Sequence, residues 1–281
     1  MSEKPGVVIP IDKPVGWSSF QVVNKLKWHL KRTFGLKKFK IGHAGTLDPL
    51  ASGLLLVCVG SATKRIEELQ SGEKEYSGTM VLGATTPCYD LEQAIDHYYP
   101  IDKIDLAAVE KARATFIGNI EQTPPMFSAV KVDGQRAYVT AREGEEAAIA
   151  PKRVTIYAFD ITAFRPGDPS AAAAAALPTA ATPTPQPDST PTGKAPHLYR
   201  NPQGIVPEGL PQIDFHITCG KGTYIRSIAR DMGQALDSGA FLAALRRERI
   251  GSYTVAQALA LDDIEAVITP DNSTYNILST L

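Results

Sequence analysis

Cysteine is scarce in this chain. Only Cys58, Cys88 and Cys219 occur among 281 residues, in no C-x-x-C pair and beside no histidine cluster. That spacing argues against a disulfide framework and a structural zinc site, and it suits a reducing cytosol. Long apolar runs are absent as well. Nothing approaches the roughly 20 apolar residues that span a bilayer, and the first five residues (Met-Ser-Glu-Lys-Pro) lack the basic-then-apolar order of a signal peptide. A soluble, cytoplasmic protein with no membrane partner is expected. An excess of charge is missing too, since 29 basic side chains against 30 acidic ones leave a net charge of −1. That sum by itself does not suggest a nucleic-acid partner.

The distribution of charge says more. Seven basic residues (Lys25, Lys27, Lys31, Arg32, Lys37, Lys38, Lys40) follow one another without an acid. Others gather at Lys221, Arg226 and Arg230 and at Arg246, Arg247 and Arg249, while acids concentrate at Asp90, Glu92, Asp96, Asp102 and Asp105 and at 143–146. A basic face on a neutral body is what phosphate-backbone binding needs. A solvated helix face accounts equally well for the 25–40 run.

Residues 41–53 (Ile-Gly-His-Ala-Gly-Thr-Leu-Asp-Pro-Leu-Ala-Ser-Gly) place a lone carboxylate, Asp48, among glycines, and the apolar run 54–59 follows at once. Gly42, Gly45 and Gly53 give backbone freedom, and Pro49 steers Asp48 away from the helical region. The pattern predicts a rigid, exposed loop leading into a buried strand. Such a loop presents one acid at the mouth of a cleft, where a nucleophile or general base is useful. Taken alone, Asp-Pro is more often a plain turn.

Hydrophobic residues make up 43% of the chain, enough for a sizeable core in one large domain or two ordinary ones. Strands are expected at 6–11, 75–83, 153–164 and 213–219. Ser18 or Ser19 should cap a helix from about Phe20, with Val22, Val23, Leu26 and Leu30 on one face. Ser61 should cap another that carries Ile66 and Leu69. Asp105 should cap a third with Leu106, Val109, Ala112, Phe116 and Ile117 inward, ended by Gly118. Helices over about 223–236 and 261–267 complete the set, and strands mixed with helices without a βα repeat indicate an α+β class. Residues 165–212, rich in Ala, Pro and Thr, offer too little apolar surface to offset ordering entropy. They read as a disordered insertion in a single catalytic domain spanning 1–281.

Several stretches then come in a telling order. They are Asp12-Lys13-Pro14-x-Gly16-x-Ser18-Ser19, residues 42–53, Lys74-x-Tyr76, residues 124–131 (Pro-Pro-Met-Phe-Ser-Ala-Val-Lys), residues 219–226 (Cys-Gly-Lys-Gly-Thr-Tyr-Ile-Arg) and Leu245-Arg246-Arg247. Together they closely resemble the bacterial TruB family of tRNA pseudouridine synthases, over nearly all of 8–164 and 213–268. The resemblance implies a pseudouridine-synthase fold with a central mixed, mainly antiparallel sheet flanked by helices. It implies isomerisation of the uridine at position 55 in the T-loop of tRNA, with no metal or organic cofactor and no protein partner, by a monomer.

Residue by residue, the resemblance puts the catalytic carboxylate at Asp48 and its counter-charge at Arg226. It makes Tyr76 the ring that stacks on the flipped base, and His43 the side chain that enters the T-loop. Tyr224 and Leu245 fall on positions that contact the uridine, and Lys64 on one that meets phosphate. The basic helix after Ser19 and the Arg246/Arg247 region should flank the cleft and meet phosphates as well. The default readings are a core tyrosine for Tyr76, a core leucine for Leu245 and a solvated lysine for Lys64. Two departures stand out. Residues 85–90 read Thr-Thr-Pro-Cys-Tyr-Asp where relatives carry Thr-Asp-Thr-x-Asp, and no catalytic candidate is expected there. Many relatives end in an RNA-binding PUA domain; residues 253–281, which remain after Gly251, are too few for it, and none is expected. An RNA chaperone and a synthase for another RNA are the rival readings.

Overall fold

The structure, a computed structural model, describes residues 6–127, 131–132, 135–136, 149–176 and 206–275. Motif residues 128–130, the acids at 143–146 and residues 177–205 of the expected insertion lie outside the described residues.

In chain order the main elements are β1 (Gly6–Lys13), α1 (Ser19–Phe34), β2 (Ile41–His43), β3 (Ala51–Gly60), a 3-10 turn (Ser61–Arg65), α2 (Ile66–Ser71) and β4 (Lys74–Leu82). Next come β5 (Ala84–Thr85), β6 (His97–Tyr98), α3 (Leu106–Ala114), β7 (Gly118–Gln122), β8 (Lys131–Val132), β9 (Gln135–Arg136), β10 (Lys152–Arg165), α4 (Pro169–Ala176) and β11 (Gln212–Cys219). The last are α5 (Ile225–Ala235), β12 (Ala240–Ile250), β13 (Tyr253–Thr254), β14 (Leu259–Ala260) and α6 (Ile264–Val267).

Ten of these strands form one sheet in the order β14-β1-β3-β12-β4-β11-β10-β7, with β13 on β12 and β2 on β3. The β1/β14 and β3/β12 pairs are parallel and the others antiparallel, so the sheet is mixed and mainly antiparallel as expected. The run Leu54–Val59 is wholly buried because β3 is central and covered on both faces. On one side α1 packs Val22, Leu26 and Leu30 against Ile9, Ile11, Leu55 and Val57. Around β4, β11 and α5 lies the largest core, with Met80, Phe159, Phe215, Ile228 and Phe241.

Local signals explain where α1 begins and ends. Ser18 caps it, accepting from the Gln21 N–H at 3.2 Å, while Gln21 Oε1 accepts from the Ser18 N–H at 2.7 Å in a capping box. Gly35, at φ 65°, closes it in the left-handed conformation.

Other boundaries differ from expectation. Ser61 caps nothing: Gly60, at φ 66°, opens a 3-10 turn in which Thr63 Oγ1 donates to Gly60 O at 2.8 Å. Asp105 does cap α3, accepting from the Ala108 N–H at 2.7 Å, but the helix stops at Ala114. The Thr115 hydroxyl bonds back to Ala112 O and closes the last turn. Ile117, past the helix end, and Leu106, in its first turn, face solvent at 43% and 47% exposed, and Gly118 opens β7 rather than ending the helix. The margins of the expected insertion are ordered. Asp168 accepts from the Ser170 N–H at 2.9 Å to start α4, and Ala172 packs into the main core with Leu210. The docking of Ala172 supplies what alanine propensity alone does not give so short a helix.

Candidate active site

The Asp48 loop leaves β2 and enters β3 beside β12, and three buried side chains hold its backbone. The Ser19 hydroxyl accepts from the Leu47 N–H at 2.8 Å and meets Leu47 O at 3.1 Å, fastening the loop to the first turn of α1. Lys13 is wholly buried and its ammonium donates to Trp17 O (2.6 Å), Pro14 O (3.1 Å) and Pro49 O (3.3 Å). Burial lowers the Lys13 pKa to about 8, with Asp48 opposing that shift. From the other side Arg247 donates to Leu54 O (2.8 Å), Gly45 O (3.0 Å) and Thr46 O (3.4 Å). Gly53 must be glycine here: its φ is +100°, and a Cβ would stand 2.3 Å from Arg247 O.

Arg247 thus corrects the expectation that it meets phosphate. It is 1% exposed because parallel pairing with β3 sets it opposite Gly53 in the sheet interior. Arg246 is also engaged, gripping both oxygens of Asp12 at 3.0 and 2.7 Å.

Asp48 itself remains 36% exposed and meets a cation from the first turn of α5. Arg226 Nε donates to Asp48 Oδ2 at 2.8 Å, Nη1 to Cys88 O at 3.1 Å and Nη2 to Phe127 O at 2.8 Å. Burial works against the Arg226 charge, but Asp48 and Asp90 outweigh it and hold its pKa above the usual value. A buried guanidinium that uses all three nitrogens on fixed acceptors is a rigid electrostatic element.

Asp90 is a second carboxylate that the sequence left out of the site. Its Oδ2 lies 3.8 Å from Arg226 Nε, and its Oδ1 accepts from Cys88 Sγ (3.0 Å) and the Glu92 N–H (2.9 Å). Burial raises its pKa, and the Arg226 charge opposes the rise. Tyr89, at φ 59°, makes the kink that turns Cys88 O and the Asp90 side chain to the same arginine. The 85–90 segment is therefore part of the site. One signal was available, an acid beside a site loop, but its direction depends on a backbone kink that composition does not encode.

Asp48 and Arg226 stand in a cleft of about 860 Å³ that Tyr76, His43, Tyr224 and Leu245 also line. Tyr76 is 7% exposed on β4, and burial raises its phenol pKa. His43 ends β2, and burial, followed by Arg247, lowers its pKa. Its Nδ1 has no hydrogen-bond partner among the described residues. Tyr224 precedes α5, where its N–H donates to Gln122 Oε1 at 2.8 Å. Leu245 pairs with Ala51 on β3. Six of the seven residues singled out from sequence thus share one cleft. Lys64 does not line it; it is exposed on the 3-10 turn after β3. Among the described residues no cluster of His, Cys, Asp and Glu could hold a metal ion, and no helix is long and apolar enough to cross a membrane.

Comparison with known proteins gives this geometry a family. A model described as TruB family pseudouridylate synthase (N terminal domain) matches residues 31–175, and one described as tRNA pseudouridylate synthase B C-terminal domain matches 226–278. The tRNA pseudouridine synthase B of Flavobacterium johnsoniae is 46% identical over 255 residues, covering 90% of this chain and 92% of the relative. That of Phocaeicola vulgatus is 42% identical, covering 93% of each. In fold the chain is similar to a solved Cbf5-Nop10-Gar1 complex, with a TM-score of 0.58 at 23% identity over 98% of this chain. It spans only 59% of that chain's length. The chain belongs to the TruB family of pseudouridylate synthases.

Proposed function

We propose that this enzyme converts the uridine at position 55 in the T-loop of tRNA to pseudouridine, with Asp48 as the catalytic carboxylate. The observation that carries the reading is the 2.8 Å contact between Asp48 and the buried Arg226 at the floor of the cleft. In the reaction the C1′–N1 bond breaks, the base turns, and a C1′–C5 bond forms. The C5 proton leaves and N1 gains one, so the product is an isomer and no electron donor or acceptor is involved. Asp48 attacks or stabilises the electron-deficient C1′ while Arg226 supplies a fixed positive charge against the carboxylate.

A base in a stem-loop must leave its stack to reach this cleft. Tyr76 offers the replacement stacking face, and burial raises its phenol pKa further above neutrality. His43, kept neutral by burial, fills the space the uridine vacates in the loop. Tyr224 and Leu245, which line the same cleft, contact the uridine. Lys64 meets a phosphate outside the cleft. Recognition then depends on the shape of the T-arm and one splayed base. The chain is read as acting as a monomer through a single catalytic domain. Three buried free thiols accord with the cytoplasm.

The test is to treat unmodified tRNA with the purified protein and map pseudouridine by sequence position. Product confined to the T-loop uridine is the expected result. Product only in another RNA, or none, overturns the reading.

A further inference from the structure

The outward face of α1 begins at the rim of the cleft, and nothing above uses its aromatic residue. Phe20 is 70% exposed, more than any other large hydrophobic side chain described, and it lines the same cleft as Asp48. A solvent-facing phenylalanine at a cleft mouth invites a partner with a flat apolar face. Its place is fixed, because the adjacent Ser19 is bonded in both directions to Leu47, next to Asp48.

At 100° per residue, Asn24, Lys27 and Lys31 fall within about 40° of Phe20, on one stripe about 16 Å long. No acid stands in the first turn of α1, and its last turn is basic. Beyond the Gly35 cap the basic residues continue at Lys37, Lys38 and Lys40. Lys25, off the stripe, is taken up by Asp262 at 3.2 Å and by the Trp17 ring. Lys27 and Lys31 have no acidic partner among the described residues. An aromatic at the catalytic end with cations trailing away is complementary to a nucleic-acid strand, which stacks through bases and repels through phosphates.

We infer that this stripe is a docking track for the tRNA strand entering the cleft: Phe20 stacks on a base next to the flipped uridine, and Lys27 and Lys31 meet phosphates beyond it. The inference rests on the reading that the cleft acts on a tRNA loop. It adds to the phosphate contacts expected of this helix an aromatic contact, Phe20, for the base beside the flipped uridine.

The test uses the full chain and unmodified tRNA, with kcat, KM and the salt dependence of Kd measured for Phe20→Ala, Phe20→Tyr and Lys27→Ala. Phe20→Ala should raise KM on the order of tenfold, as loss of one base–aromatic stack does, and lower kcat far less. Phe20→Tyr should restore KM. Lys27→Ala should reduce the slope of log Kd against log salt by about 0.7 to 0.9, one phosphate contact. A KM unmoved by Phe20→Ala, or a salt slope unmoved by Lys27→Ala, overturns the track. If Phe20→Ala lowers Tm while KM stays put, the ring is covered by the protein's own chain and the inference is wrong. Wild-type protein that makes no pseudouridine yet shows both effects on binding overturns the function and leaves the track standing.

Discussion

Arg226 and Asp48, 178 positions apart in sequence, meet through a 2.8 Å hydrogen bond from Nε to Oδ2. The carboxylate is half-open to the cleft and the guanidinium is sealed beneath it. Replacing the carboxylate with an isosteric amide should therefore separate chemistry from binding. Asp48→Asn is expected to abolish pseudouridine formation while tRNA affinity stays within about tenfold, roughly 1.4 kcal/mol. Product mapping and filter binding on the same preparation check both halves. A near-normal yield from this variant removes Asp48 from the mechanism.

Arg226→Lys keeps the charge and loses the fork. A lysine has one nitrogen, and it cannot serve Asp48, Cys88 O and Phe127 O at their separate positions. The carbonyls it leaves without a donor cost about 1–3 kcal/mol each. The expected result is a Tm lower by several degrees and a kcat lower by about a hundredfold or more. A lysine variant with wild-type kcat would mean that the positive charge suffices and the fork does not matter.

Asp90→Asn tests whether the second carboxylate belongs to the site. The amide oxygen of the variant would still accept from the Glu92 N–H, but the negative charge 3.8 Å from Arg226 would be gone. With one acid fewer, Arg226 is drawn more fully to Asp48, and the balance that leaves Asp48 free to react is disturbed. The expected effect is a tenfold or greater fall in kcat with little change in KM. An unchanged kcat assigns Asp90 to packing alone.

Lys13 gives a pH signature. Its pKa is lowered from 10.5 to about 8 by burial, so between those values the unfolded chain holds a proton that the folded chain has shed. Stability from this group accordingly rises with pH across that window, and below pH 8 the folded state bears the whole cost of a buried ammonium. A shift of this size corresponds to about 3 kcal/mol. The unfolding free energy of wild type minus that of Lys13→Met should rise by most of that, about 2 kcal/mol, from pH 7.5 to 10. A flat or falling difference shows that the ammonium is solvated.

These residues also mark how far the sequence can be read. The Asp48 loop and α1 were legible because glycines, a proline and a capping serine act on their immediate neighbours. Arg226 and Tyr76 were legible through motif order, and the first turn of α5 and strand β4 then bring them to the Asp48 cleft. Depth was not legible. Arg247 looks like Arg246 in sequence, yet a parallel pairing with β3 buries one and leaves the other at the surface with Asp12. Asp90 was missed for a related reason, since a left-handed Tyr89 decides where its side chain points. The end of α3 was misread because Phe116 is buried by a turn, which continues the helical apolar pattern past the helix.

Arg247→Met should test whether that buried arginine acts through the loop it holds. Methionine fills much of the same volume but donates no hydrogen bond. The carbonyls of Gly45, Thr46 and Leu54 then lose a donor in a water-poor interior, at about 1–3 kcal/mol for each group left unsatisfied. Tm should fall by several degrees. Since Gly45 and Thr46 lie just before Asp48, the loop should also wander, and kcat should drop further than the folded fraction accounts for. Arg247→Lys should recover part of the stability through one carbonyl and little of the kcat. If activity per folded molecule stays at the wild-type level in Arg247→Met, then Ser19 and Lys13 suffice to place Asp48, and Arg247 only stabilises the sheet.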